Sequence, residues 1–247
     1  MTAVLPPLAP RAWLRWDLVD RLVTELRPTT VLEIGCGQGA MGARLASRVD
    51  YLAVEPDPAS YAVASARVTA RGGSVLPADH TGVPPGRRYD LVCAFEVLEH
   101  LEHDAAALAD WVALVRPGGH LMLSVPAFAG RFGPMDVRVG HYRRYDPDDL
   151  AARLLDAGLA APRVLVYGWP LGYALEAVRN RMDARHLAAA AGEPTPEERT
   201  AASGRHQQPG ARPVGRGIEL ATLPFRRLQR LAPTRGTGLV AVATRPA

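Results

Sequence analysis

Lysine is absent from this sequence, and all 29 of its basic side chains are arginine. With a formal charge of only +4, the bias reads as the mark of a GC-rich genome, not as a surface built to track phosphates, and a nucleic-acid partner is not expected. Cysteine is nearly absent too. Cys36 and Cys93 have no metal-ligand spacing, which excludes a disulfide scaffold and fits reduced thiols in the cytoplasm. No run of about 18 apolar residues occurs, and no basic-then-apolar leader, so the expectation is a soluble cytoplasmic protein without a transmembrane segment. Repeats and low-complexity arrays are missing as well. What remains is ordinary globular composition, 48% hydrophobic and 22% charged, over a length that one large α/β domain can fill.

The chain is organised around Val31 to Ala40, where a short apolar run breaks into glycines at alternate positions. Val31, Leu32 and Ile34 suit a central parallel strand, and Gly35, Gly37 and Gly39 suit a sharp turn that a ligand can approach closely. The helix that follows directs its N-terminus at that ligand. Gly37, Gly39 and Gly42 also satisfy the dinucleotide pattern G-x-G-x-x-G, which leaves a nicotinamide-dependent oxidoreductase as an alternative. Glu33 argues against it, since a carboxylate sits poorly beside a pyrophosphate and well beside a cationic ligand. A second apolar run, Tyr51 to Val54, ends at Glu55-Pro56, where an acidic side chain can take ribose hydroxyls.

Further elements follow in α/β order. A leucine stripe at Leu14, Leu18, Leu22 and Leu26 predicts a helix ended by Arg27-Pro28. Ala40 to about Ser47 reads as a crossover helix and Ser74 to Pro77 as a third strand that runs into Asp79-His80. Tyr89 to Phe95 is a fourth strand, followed by Glu96-Val-Leu-Glu-His-Leu101. Arg116-Pro-Gly-Gly119 then turns into a fifth strand, His120 to Val125.

The set Glu-x-Gly-x-Gly-x-Gly, Glu55, Asp79, Glu-Val-Leu-Glu-His-Leu and Arg-Pro-Gly-Gly, in this order, resembles the class I S-adenosylmethionine-dependent methyltransferases, and within them the quinone-type and other small-molecule enzymes. The resemblance covers about a hundred residues and concerns the methyl donor. It implies a Rossmann-like α/β fold with a seven-stranded, mostly parallel sheet in the order 3-2-1-4-5-7-6, an antiparallel last strand and a helical insertion before it. It implies S-adenosyl-L-methionine as cofactor, with Glu33, Gly35, Cys36, Gly37, Gly39, Glu55, Pro56, Asp79, His80, Phe95 and Glu96 around it. One domain over 1–247 is expected, with a cofactor half at 11–126 and a substrate half at 127–247 that includes an insertion at 170–235.

The substrate half carries Gly140-His-Tyr-Arg-Arg-Tyr145 on a long connection, just before the helix cap Asp146-Pro147. His141 is the first candidate for a proton acceptor and His100 the second. Tyr142, Arg143, Arg144 and Tyr145 are candidates for binding the acceptor, as an anion clamp flanked by rings; alternatively the two arginines pair with Asp136, Asp146 or Asp148 and fix the loop. The same hexapeptide resembles a bacterial subgroup associated with envelope glycans or specialised metabolites. Glu96, Glu99 and His100 have the i, i+3, i+4 spacing of one helical face and invite a metal, but with no further ligand at known distance none is assigned. Residues 192–217 read as a mobile loop. Ile218 to Leu231 reads as a helix whose leucines Leu220, Leu223, Leu228 and Leu231 pack on the core, although its arginines also permit a peripheral contact with a membrane surface.

The expected activity is methyl transfer to a small-molecule, glycan-type or lipid-linked acceptor. A non-methylating protein that keeps the cofactor site is the other alternative. The oligomeric state is not legible.

Overall fold

The computed structural model describes residues 5–189 and 212–247. Within them the sheet has seven strands, β1 (Thr30–Ile34), β2 (Asp50–Val54), β3 (Ser74–Leu76), β4 (Tyr89–Phe95), β5 (Val115–Pro126), β6 (Ala160–Gly168) and β7 (Gly236–Thr244), in the order β3-β2-β1-β4-β5-β7-β6. β1 to β5 pair in parallel, while β7 runs antiparallel to both neighbours. The expected topology is therefore the observed one. The strand order reverses between β1 and β4, and a ligand crevice belongs outside the carboxyl ends there.

Alternation along the strands divides the core into two layers. Val31, Leu91 and Cys93 face the layer that holds α1 (Pro10–Leu26), whereas Leu32, Ile34, Val92 and Ala94 face the layer of α4 (Asp104–Leu114) and α6 (Pro147–Asp156). In α1 the apolar stripe buries Trp13, Leu14, Trp16, Leu18, Val19, Leu22 and Val23, and the helix stops at Arg27 in a left-handed conformation before Pro28. A fully buried leucine of this kind is worth about 1.5–3 kcal/mol of burial.

The expected crossover helix shrinks to one turn, α2 (Gly42–Leu45). The third glycine of the dinucleotide-like match has a packing role: a Cβ on Gly42 would lie 2.2 Å from the Tyr51 hydroxyl. Gly42→Ala is accordingly expected to cost about 1–3 kcal/mol by overpacking. Urea unfolding checks it, and Tyr51→Phe, which removes the nearest clashing atom, should recover part of the loss.

The remaining helices are α3 (Pro58–Thr69), α5 (Pro134–Val139), α7 (Leu171–Ala189) and α8 (Arg212–Leu228). The expected mobile loop lies outside the described residues up to 211, and 212–217 belongs to α8. α8 packs along α1, with Gln229 just beyond it donating to the Leu14 carbonyl at 3.1 Å and Arg226 over the Trp13 ring. Its inward face is built from Ile218, Thr222 and Phe225. Three of the four expected core leucines are instead turned out, Leu220, Leu223 and Leu231 being 65%, 41% and 77% exposed, and Leu228 is half-buried. Their spacing marks an apolar stripe, but the face that meets α1 is the one carrying Ile218, Thr222 and Phe225. Among the described residues no helix is long and apolar enough to cross a membrane.

Candidate active site

The glycine loop leaves the end of β1 at the switch point. Gly37 has φ +54°, and a Cβ there would meet nothing within 4 Å, so this backbone borders open space where a ligand can approach. Its N–H donates to Glu55 Oε2 at 2.7 Å, and Asp57 N–H donates to Oε1 at 3.0 Å. Glu55 is thereby fixed at the tip of β2, directly beside the loop. Burial raises its carboxyl above the usual range, against those two hydrogen bonds.

Glu33 is 2% exposed and accepts a 2.5 Å hydrogen bond from the Tyr51 hydroxyl. Burial pushes its carboxyl up to about 7, only partly opposed by Tyr51 and the charge of Arg15. A buried acid in this condition gains from a cation placed beside it. Cys36 and Phe95 are buried in the same layer, both cysteines are free, and Pro56 is exposed between Glu55 and Asp57.

Two residues of the expected cofactor set make other contacts. Asp79 is exposed, and its Oδ1 accepts from the Thr81 backbone and hydroxyl. His80 is turned onto α4, with Nε2 3.2 Å from Asp110 and its ring edge-on to Trp111.

At the end of β4 the chain does not enter a regular helix. Glu96 takes a left-handed conformation, φ 58°, and only Leu98–His100 forms a short 3-10 turn. The helical face expected for Glu96, Glu99 and His100 is therefore absent. Glu96 accepts from Ser124 Oγ at 3.0 Å, pairs with Arg15 at 3.1 Å and lies 3.5 Å from the Tyr167 hydroxyl. Burial would raise its carboxyl, but Arg15, Arg11 and the Ser124 hydrogen bond outweigh it and hold it low. Sequence reasoning missed Arg11 and Arg15. The signal available was an arginine between Leu14 and Trp16, inside an otherwise apolar helical stripe.

The hexapeptide loop divides into parts. His141 Nδ1 lies 2.8 Å from Asp136 Oδ1, and the imidazole is 7% exposed. Asp136 also accepts from Gly133 N–H at 2.8 Å and from Arg144 Nε at 2.9 Å, and these bonds overcome burial and draw its carboxyl down to about 2. Arg144, whose side chain is wholly buried, is gripped on its other side by Glu176 of α7. Tyr145 is fully buried and donates to Asp104 at 2.9 Å, and Arg143 pairs with Asp104 at 2.7 Å and donates to the Glu102 carbonyl. The anion clamp expected of Arg143, Arg144 and Tyr145 is thus corrected. These side chains pair with buried carboxylates inside the protein, and for Arg144 with Asp136 this is the loop-fixing alternative. Tyr142 is the exposed member, at 40%.

The same loop brings His141 to the β4 turn. Its Nε2 is 3.8 Å from Glu99 Oε1, its ring is 4.6 Å from that of His100, and Tyr142 N–H ties the two loops by donating to the Glu99 carbonyl at 2.8 Å. Burial and the neighbouring charge of Glu96 push the Glu99 carboxyl well up, while burial and His141 push His100 down to about 3. Ligand atoms of Glu99, His100 and His141 lie within 4.8 Å of one another, the spacing of a group able to hold a metal. The sequence reading assigned no metal because it sought the set on one helix. The third member comes from a different loop.

Comparison with known proteins gives the family and the fold. A family model described as "Methyltransferase domain" matches residues 9–162. A Mycobacterium tuberculosis protein named as a probable S-adenosylmethionine-dependent methyltransferase is 32% identical over 198 residues, 75% of this chain and 70% of that protein. An uncharacterized methyltransferase of Mycolicibacterium gilvum is 31% identical over 121 residues, and the match spans 48% of its length. Among solved structures, the N-methyltransferase NodS of Bradyrhizobium japonicum with S-adenosylhomocysteine has a TM-score of 0.56 at 17% identity, covering 94% of this chain and 87% of that one. The [4+2]-cyclase SpnF has a TM-score of 0.53 at 18% identity, covering 99% and 89%. At these identities the structural likeness concerns the fold.

Proposed function

The chain belongs to the methyltransferase-domain family and is an S-adenosylmethionine-dependent methyltransferase, and we propose that it methylates a hydroxyl group of a small-molecule, glycan-type or lipid-linked acceptor at the corner formed by Glu99, His100 and His141. The observation that carries this reading is the Asp136–His141 pair. A carboxylate on Nδ1 fixes the tautomer, so Nε2 presents a lone pair towards the corner. An acceptor that must lose a proton has a use for that nitrogen, and an already anionic or uncharged nucleophile does not.

When bound, the cofactor supplies an electrophilic methyl carbon on a cationic sulfur; the bond from that carbon to the acceptor oxygen forms as its bond to sulfur breaks, and sulfur keeps the electron pair. The chain's own residues hold and align. Gly37 would let the cofactor approach the backbone, Glu55 would take its ribose hydroxyls, and the Glu33 carboxylate would attract its positive end. Glu96, anchored by Arg15 and Ser124, lies at the edge shared by this site and the corner. His141 Nε2 takes the hydroxyl proton, and its burial keeps water from competing. Two free, buried thiols fit a cytoplasmic setting.

Transfer of radiolabelled methyl to a panel of hydroxyl, amine and acidic-carbon acceptors tests this. Hydroxyl acceptors should be used, and His141→Gln should slow turnover by at least an order of magnitude, with S-adenosylhomocysteine affinity unchanged. Turnover confined to amines, or indifferent to His141, would refute the acid–base assignment. Binding of NADH without S-adenosylmethionine would refute the donor site itself.

A further inference from the structure

We propose that Glu99, His100 and His141 form a binding site for one divalent transition-metal ion that takes mixed nitrogen and oxygen ligands, such as Zn²⁺, Fe²⁺ or Mn²⁺. As a binding site the assignment stands by itself; as a device that activates an acceptor hydroxyl it rests on the methyl-transfer reading.

The first observation is Glu99. Its side chain is completely buried, and neither carboxyl oxygen has a hydrogen-bond partner in another residue. A buried carboxyl left without such a partner calls for an explanation. Arg15, the nearest structural cation, is engaged with Glu96 instead. What Glu99 does face is a pair of imidazoles, and these are ligands, not obligatory cations.

The second observation is the arrangement of donors. One carboxylate and two imidazoles within 4.8 Å make the two-histidine, one-carboxylate set that zinc and non-haem iron use with open positions. Around an ion at about 2.0–2.2 Å from each ligand the donors lie roughly 3–3.5 Å apart, so the observed spacing needs only about an ångström of closure. The 3.8 Å separation of His141 Nε2 and Glu99 Oε1 is already near that value. The ligands come from two loops pinned together by the Tyr142 to Glu99 backbone bond, so closure needs side-chain rotation only.

The third observation is the layer behind the donors. A metal-ligating histidine commonly gives its other ring nitrogen to a carboxylate or a carbonyl. His141 gives Nδ1 to Asp136 at 2.8 Å, and His100 is hydrogen-bonded to the Gly140 backbone. Asp136 is itself locked by Arg144 and Gly133. This order of imidazole, carboxylate and buried arginine holds Nε2 in one direction, as a ligand needs and as a base can use. An ion here with positions left open would make a bound hydroxyl more acidic. In the ion-loaded protein Nε2 is a ligand and the hydroxyl proton passes to solvent; without the ion Nε2 is the base.

The test is direct titration of chelator-treated, full-length protein with Co²⁺, followed by visible absorption, and with Zn²⁺ against a competing dye, in the absence of acceptor. One ion per chain is expected, with the d–d bands of a low-coordinate site. Glu99→Gln and His141→Ala should each weaken binding at least about 100-fold, and Asp136→Asn about 10–100-fold. S-adenosylhomocysteine binding, measured in every variant, reports folding, and His100→Ala replaces any variant that fails that control. Failure of wild type to bind either ion while it binds S-adenosylhomocysteine overturns the metal site and leaves His141 as the base. Binding that persists undiminished in the ligand variants is adventitious and overturns it equally. Failure of the methyl-transfer reading would show in the donor-binding control instead.

Discussion

Replacing Arg144 with methionine is expected to lower the stability of the folded chain by about 3–5 kcal/mol, the cost of leaving buried carboxylates without their cation. Arg144 is wholly buried between Asp136 and Glu176; among the described residues the other charged partners of these acids are His141 for Asp136 and Arg131 for Glu176. Removing the guanidinium leaves Asp136 with His141 and the Gly133 N–H, and Glu176 with Arg131. Denaturant unfolding measures the loss. The double variant Arg144→Met with Asp136→Asn should recover part of it, because it removes a charge along with its partner. A loss below 1 kcal/mol in the single variant would mean that the triad contributes nothing beyond an exposed pair. The effect should reach the site as well, since Asp136 also orients His141.

The second large effect is expected at Glu33. Burial raises this carboxyl from 4.5 to about 7, which corresponds to about 3 kcal/mol between its protonation states. The sign follows from proton counts. Between pH 4.5 and 7 the folded chain holds a proton that the unfolded chain has lost, so the contribution to stability is full at low pH and is lost as pH rises through about 7. Glu33→Gln keeps an acceptor for Tyr51 without the titration. It should be more stable than wild type by about 3 kcal/mol at pH 8 and nearly equal at pH 4.5. The same substitution should weaken S-adenosylmethionine by about 10–150-fold, the worth of a hydrogen bond to a charged group. Binding to wild type near pH 6.5 should release a proton, visible as a calorimetric heat that changes with the buffer's ionisation enthalpy. Equal heats in all buffers, with no stability difference across pH, would contradict this account of Glu33.

These two residues also show where the sequence was informative. Glu33 was legible because it sits on a strand whose hydrophobic pattern, glycine turn and register belong to one contiguous stretch. The strand order was legible only through the resemblance that the ordered motifs carry; the apolar runs mark the strands but not their order in the sheet. Arg144 was seen and misassigned. The hexapeptide places two arginines at a loop beside the sheet, but whether a guanidinium meets a ligand or a carboxylate depends on Glu176 in a helix that the intervening sequence does not tie to it. The meeting of Glu99, His100 and His141 was not legible on a related ground: Glu96, Glu99 and His100 were grouped by helical spacing, and His141 comes from a separate loop. Arg15 was missed because a helix stripe read for its leucines gives no weight to a polar residue between them, although that residue reaches Glu96. In α8 the leucines were correctly seen as a stripe. Their outward direction could not be read, because nothing in the stripe says that Ile218, Thr222 and Phe225 are the side chains that meet the core.

The central claim is that the donor site at the glycine loop and the acid–base corner at His141 open onto each other. A crystal structure of the full-length protein with S-adenosylhomocysteine tests it most directly. The account predicts the ribose at Glu55, the amino group near Glu33, and the sulfur facing the space bounded by Glu96 and His141, close enough for one acceptor atom to lie between sulfur and Nε2. A cofactor whose sulfur is directed away from His141, or walled off from it by Glu96 and Tyr167, would contradict the claim.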